Sequence, residues 1–218
     1  MEAAGQERSK VRLAAVNTAG EYLIPPLIRA FRQLHPGISI LLEVGNRATV
    51  FERLESRRAD IGIGGRPPGR GLVGYPLTGN ELVVVGREVP ADLAAVPWLL
   101  REEGSGTRLA TERLLADLKL GQAESGSPEL LTLGSNGAIK QGLAVGLGIT
   151  LISRFAVARE LRDGLLAEIA VRGTPLSRPW HVLLPHAVPA AGPDRPAVRA
   201  LGEFLRSAPA RALIEKLL

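Results

Sequence analysis

The chain has 218 residues, of which 45% are hydrophobic, 22% charged and 4% aromatic, a globular composition that fits one large domain or two small ones. It has no Cys, and its three His (His35, His181, His186) stand in no metal-ligating spacing, which excludes disulfides and cysteine nucleophiles and predicts neither a metal nor a cofactor. The net charge of +5 rests on scattered Arg, with Arg57–Arg58 and the Arg66/Arg70 pair the nearest approach to clusters, and no helix-turn-helix or zinc-finger pattern accompanies it.

The hydrophobic period alternates between strand and helix from end to end. Val11–Val16 reads as a buried strand and runs into a loop at Asn17–Gly20. Leu23, Leu27, Ala30, Phe31 and Leu34 then recur at helical spacing until Pro36-Gly37 stops the helix. A strand at Ile38–Val44 leads to Gly45–Thr49 and a helix carrying Val50, Phe51 and Leu54, and Asp60–Gly64 is a third strand closed by Pro67-Pro68-Gly69. Three β–α repeats predict a parallel sheet with helices on its faces and every strand-to-helix loop along one edge, where ligands of such sheets bind.

Glu81–Gly86 is a further strand, and the Pro90–Pro97 segment marks a transition to a second series. That series reads as a strand at Trp98–Leu100, a loop at Glu102–Arg108, a helix with Leu114, Leu115 and Leu118, and a strand at Leu130–Leu133. It continues with a helix at Asn136–Val145, a strand at Gly148–Ile152, a helix at Phe155–Leu161, and strands at Leu165–Ile169 and Trp180–Leu184. Pro185–Pro196 reads as an exposed loop, followed by helices carrying Val198, Leu201 and Leu205, then Leu213 and Leu217. The fold class is therefore α/β, with two Rossmann-like lobes, two crossover segments that act as a hinge, and a cleft between the lobes. Residues 1–10 form a linker remnant, 11–88 the first part of lobe I, 89–172 lobe II, and 173–218 the return of lobe I with its C-terminal helices.

Four loops carry the candidate chemistry. Asn17-Thr18 at a helix start is explained either as a cap, worth about 1 kcal/mol, or as part of an anion site. Gly104-Ser105-Gly106-Thr107-Arg108 is the strongest anion cradle: two glycines let backbone N–H groups converge, two hydroxyls add donors and Arg108 adds charge. It is not a nucleotide-hydrolysing P-loop, because Gly-x-x-x-x-Gly-Lys-Ser/Thr is absent. Gly134-Ser135-Asn136-Gly137 again stands between a strand and a helix and reads equally as a structural turn or a binding loop, and Asn46-Arg47 completes the set, with Arg47 also readable as a solvated surface residue. No catalytic residue emerges. Ser105 is not in a nucleophile elbow, no general base stands in a site loop, and Asp60 is read as support for the turn before Ile61. No apolar run approaches the roughly 18 residues of a spanning helix. The polar Met1–Lys10 lacks a signal-peptide core, so a cytoplasmic chain without a membrane partner is expected.

Over residues 10 to 207 the chain resembles the effector-binding domain of LysR-type transcriptional regulators, which have the periplasmic-binding-protein type 2 fold. The resemblance is carried by Asn17-Thr-Ala-Gly-Glu-Tyr-Leu-Ile-Pro25-Pro26, Phe31-Arg-Gln-Leu-His-Pro36-Gly37 and Leu54-Glu-Ser-Arg-Arg-Ala-Asp60-Ile-Gly-Ile. It continues through the Gly104–Arg108 loop and Ile139-Lys-Gln-Gly-Leu-Ala-Val-Gly-Leu-Gly148-Ile, and the Gly-Ser-Gly-Thr-Arg sequence is similar to the branch that regulates carbon-fixation and sulfur- or nitrogen-assimilation genes. The resemblance implies a small anionic metabolite as effector in the interlobe cleft, touching Asn17, Thr18, Asn46, Ser105, Thr107, Ser135 and Asn136. It also implies a homodimer formed through the first helix and its neighbours, and contact with DNA only through a DNA-binding domain missing from this chain. The chain departs from the family in carrying Asn17 where many relatives have Ser or Thr, and in lacking a Pro near Ser153. A solute-binding protein of a transport system uses the same architecture and is the alternative; an enzyme on this scaffold has the least support, for want of an acid–base pair.

Overall fold

In the computed structural model, which describes residues 9–67, 69, 71–120, 127–185 and 195–218, the chain alternates between strands and helices almost throughout. The first elements are β1 (Ser9–Val16), α1 (Ile24–Leu34), β2 (Ile38–Gly45), α2 (Arg47–Glu55), β3 (Ile61–Gly64), β4 (Leu72–Thr78) and β5 (Glu81–Gly86). Next come β6 (Trp98–Leu100), α3 (Gly106–Asp117), β7 (Leu130–Thr132), α4 (Asn136–Ala144), β8 (Thr150–Ser153) and α5 (Arg154–Arg162). The chain closes with β9 (Ala167–Ile169), β10 (Leu176–Ser177), β11 (Trp180–Pro185), α6 (Pro196–Leu205) and α7 (Ala208–Glu215). It divides into two units: unit 1 is the chain up to Thr78 together with Trp180–Lys216, and unit 2 is Gly79–Pro179 with the last two residues.

Unit 1 is built on a five-stranded sheet in the order β2-β1-β3-β11-β4. β1 runs parallel to β2 and β3, as the repeated β–α pattern predicts, whereas β11 returns antiparallel to both β3 and β4. Val11, Leu13, Ala14 and Ala15 are buried, interrupted only by the half-buried Arg12, as in an interior strand covered on both faces. Leu23, in the turn that enters α1, and Leu27 and Phe31 within it, four residues apart, are 0–1% exposed and form one buried stripe, on which Phe31 meets the Phe204 ring of α6 at 5.5 Å. Leu34 departs from the expectation. It is 64% exposed, because the helix ends there and the His35 ring stacks on Phe31 at 4.6 Å instead. At the C-terminus the last helix buries Ala210 and Ile214, rather than Leu213 and Leu217.

Unit 1 departs from the sequence-based expectation at three further places. The expected loop at Asn17–Gly20 does not form: the chain turns helical at Asn17, passes through a π-helical turn at Ala19–Leu23 and continues into α1. Gly20 permits this tight entry, since a Cβ there would lie 2.7 Å from Val44 Cγ2. β4 has no counterpart in the sequence reading because Gly74 and Pro76 interrupt its alternation; as the edge of the sheet, paired only with β11, it tolerates the missing Pro N–H. Of the expected linker remnant, Ser9 and Lys10 already belong to β1, paired with Ile38 and Ser39. The remainder of that segment, Arg70, His186 and most of the expected 185–196 loop lie outside the described residues.

Asp60 does more than support a turn. Its side chain is 1% exposed and accepts from the Arg12 backbone N–H at 2.8 Å, from Arg12 Nη2 at 2.8 Å and from Arg195 Nη1 at 2.7 Å. It thereby joins the start of β3 to β1 and to the residue that precedes α6. Burial alone would raise its pKa, but the hydrogen bonds from Arg12 and Arg195 outweigh that and hold it below the ordinary carboxylate value.

Unit 2 is organised around β5, which pairs antiparallel with β8, β9 and β10. These partnerships explain why the units part at Thr78/Gly79 and Pro179/Trp180, and not near residues 88 and 172: Glu81–Gly86 is a strand of the second unit, and β10 keeps the chain there up to Pro179. β6 and β7 form a parallel pair that meets the larger sheet through a bridge between Trp98 and Ile149. Gly148 makes this approach possible, because a Cβ there would lie 2.3 Å from the Pro97 carbonyl oxygen. The core gathers Leu82, Val84, Trp98, Leu100, Leu114, Ile149, Leu151 and Ile169, and the Trp98 indole N–H donates to the Leu93 carbonyl at 3.0 Å.

Candidate functional site

In unit 1 the strand register brings loop residues together. Val16 is level with Gly45 and Ala15 with Ile63, so the carboxyl ends of β2, β1 and β3 share one edge. Asn17-Thr18, Asn46-Arg47 and Gly65-Arg66 follow those ends directly. Asn46 caps α2: its Oδ1 accepts from Thr49 N at 2.9 Å and from Thr49 Oγ1 at 3.0 Å. Thr18 makes no side-chain capping bond to the turn that follows it, so the capping explanation for that residue fails. Arg47 is exposed at the first position of α2, where its guanidinium lies 4.7 Å from the Phe51 ring centre and donates to the Arg66 carbonyl at 3.2 Å. It thus ties the loop after β2 to the loop after β3.

In unit 2 the equivalent edge lies at the ends of β6 and β7, where Leu100 is level with Thr132. Two helices start from these ends. Ser105 precedes α3 and its Oγ accepts from the Arg108 N–H at 3.5 Å; Ser135 precedes α4 and its Oγ accepts from the Ala138 N–H at 3.0 Å. The glycine-rich loop is shorter than its sequence suggests. Gly104, at φ +80°, makes the turn, and Gly106, Thr107 and Arg108 already form the first turn of α3. Gly106 is exposed, with nothing within 4 Å of where a Cβ would stand, and Thr107 is half-buried with its carbonyl accepting from Thr111 Oγ1 at 3.0 Å.

Arg108 and Asn136 are placed differently from a simple anion cradle. Arg108 Nε donates to Glu112 at 2.8 Å, and its Nη1 donates to the Arg101 carbonyl at 3.1 Å and to Thr132 Oγ1 at 3.2 Å. Asn136 is 1% exposed and its Oδ1 accepts from Arg101 Nη1. Arg101 itself carries no signature in the sequence, yet it is 4% exposed and makes a two-pronged pair with Glu102, Nε to Oε2 at 2.7 Å and Nη2 to Oε1 at 2.9 Å. Burial pushes the Glu102 carboxyl up, but the Arg101 hydrogen bonds bring it below the ordinary value. The available signal was an Arg-Glu pair directly after a fully apolar three-residue strand, a place where a charge must find a partner. Among the described residues no group of three or more His, Asp or Glu is arranged to hold a metal ion.

Residues 4–210 match the family model of the LysR substrate binding domain. Over 217 residues, 94% of this chain and 67% of the relative, the sequence is 36% identical to the RuBisCO operon transcriptional regulator of Acidithiobacillus ferrooxidans. It is 34% identical over 194 residues to the HTH-type transcriptional activator CmpR of Synechocystis, covering 82% of this chain and 60% of that protein. Among solved structures, the regulatory domain of Synechocystis CcmR in complex with 2-PG superposes with a TM-score of 0.70 at 30% identity, covering 95% of each chain.

Proposed function

Because the chain belongs to the LysR substrate binding domain family, with its periplasmic-binding-protein type 2 fold, we propose that it senses a small phosphorylated anion on behalf of a LysR-type transcriptional regulator. The observation that carries this reading is the pair of helix starts in unit 2. α3 and α4 leave neighbouring parallel strands, so their first N–H groups and the positive ends of two helix dipoles lie at one edge. Ser105 and Ser135 accept from their helices through Oγ, which leaves each hydroxyl proton to donate to an anion; Thr107, Asn136 and the backbone N–H groups of Gly106 and Thr107 add to them. Arg108 contributes charge while its guanidinium holds the two strands' ends in register. Asn17, Thr18, Asn46 and Arg47 are proposed as effector contacts from the corresponding edge of unit 1. The complex of a 30% identical relative with 2-PG supports the chemical class, and the two regulators reported above favour this reading over transport.

The chain spans 67% and 60% of the length of those regulators. The proposal therefore includes a DNA-binding domain elsewhere in the intact protein, a homodimer that relays effector binding to it, and a cytoplasmic place of action. The ligand shifts the receptor by binding one conformation better than another. Thermal unfolding with 2-phosphoglycolate, shikimate and sulfate tests the reading. Saturating 2-phosphoglycolate, at a hundredfold over its Kd, should stabilise the protein by about 2.7 kcal/mol, with the non-phosphorylated acid far weaker. Absence of any shift with 2-phosphoglycolate and with a panel of phosphorylated sugars and acids would remove the reading. Sedimentation equilibrium should return twice the mass of one chain.

A further inference from the structure

Two arginines cross-link the edge of unit 2 in opposite directions. Arg108, in the first turn of α3, reaches back to the Arg101 carbonyl and across to Thr132, the last residue of β7. Arg101, just past the end of β6, sends its side chain to Asn136, the first residue of α4, while its remaining prong is matched by Glu102. The end of β6, the start of α3, the end of β7 and the start of α4 are therefore closed into one hydrogen-bonded ring, in which Asn136 is 1% and Arg101 4% exposed. A buried guanidinium that is neutralised by its neighbour supplies orientation more than attraction. Its planar fork fixes Glu102 on one side and the Asn136 amide on the other, a task that a lysine's single ammonium cannot reproduce.

From this geometry we infer that Arg101 is the positioning residue of the effector site: it acts not as an effector contact but through Asn136 and Glu102, holding the helix starts of α3 and α4 at one fixed spacing. The inference rests on the proposed function for its consequence in binding, while the coupling of the two helix starts is a property of the ligand-free protein. Both edges of an anion are then met by N–H groups whose separation is set in advance, which is how preorganisation raises affinity. Arg101→Lys keeps the charge and loses the fork, and Asn136→Ala keeps Arg101 and loses its far partner.

Amide hydrogen exchange on the ligand-free chain tests the coupling. Arg101→Lys should speed exchange by about tenfold at both 105–109 and 136–140, leaving β5 and β8 unchanged, and Asn136→Ala should do the same from the other end, so that the test survives if either variant fails to fold. Faster exchange confined to the residues beside the substitution, or spread over the whole unit, would overturn the inference. Titration with 2-phosphoglycolate then tests the role in binding. Arg101→Lys should weaken binding about tenfold, Asn136→Ala at least as much because it also removes a proposed contact, and the double variant no more than Asn136→Ala alone; independent, multiplying losses, or an unchanged affinity, would show that Arg101 does not act through Asn136. If the parent chain binds no phosphorylated anion, the effector reading fails, and the exchange result still decides whether Arg101 couples the two helices.

Discussion

Asp60 keeps a full negative charge with its side chain 1% exposed, and two guanidinium groups and a backbone N–H make this tolerable. Its folded pKa lies below the ordinary value, so it contributes stability in full above the unfolded carboxylate pKa of about 3.9. That contribution disappears as pH falls through the lowered folded value. Asp60→Asn should cost about 2 kcal/mol at pH 7. The gap between parent and variant, read from urea midpoints, should stay constant down to roughly pH 4 and close below it. A gap that widened on acidification would contradict the arrangement. The helix caps allow a graded comparison: Ser135 is bonded at 3.0 Å and Ser105 at 3.5 Å. Ser135→Ala should cost about 1 kcal/mol and Ser105→Ala less, measured as shifts in the same midpoints.

At the level of elements, the join between the β6–β7 pair and the larger sheet depends on a main-chain contact. Ile149 N–H donates to the Pro97 carbonyl at 2.9 Å and Leu99 N–H to the Ile149 carbonyl at 2.8 Å, with Gly148 pressed against Pro97. Gly148→Ala should therefore cost about 2–3 kcal/mol, since backbone must move, while Gly37→Ala, which has open space at its Cβ, should be near neutral in the same urea titration. The elements themselves were largely legible in the sequence: Leu23, Leu27 and Phe31 declare a helix by spacing alone, and Asn46, Ser105 and Ser135 declare helix starts by their type. What was not legible depends on partners distant in the chain. Glu81–Gly86 reads as a strand from its own residues, but which sheet it joins is decided by β8 and β9. Arg108 reads as a free positive charge until Glu112, Thr132 and the Arg101 carbonyl are seen around it, and Arg101 has no motif at all. Local chemistry marked the site loops; long-range pairing determined what each side chain could do.

Across the whole molecule, each unit buries a core of its own. Leu13, Ile61, Ile63 and Val182 are sealed in the first, and Leu82, Val84, Trp98 and Leu151 in the second. Asp60 with its arginines belongs wholly to unit 1, and the Gly148 contact wholly to unit 2. The chain contains two tryptophans, Trp98 at 0% exposure in unit 2 and Trp180 at 4% in unit 1. Each unit consequently carries one indole shielded from water, and under excitation selective for tryptophan the single-tryptophan variants Trp98→Phe and Trp180→Phe would each report on one half alone. In those backgrounds Asp60→Asn should displace the emission transition reported by Trp180, and Gly148→Ala the one reported by Trp98, so that the red shift of each indole times the opening of its own half.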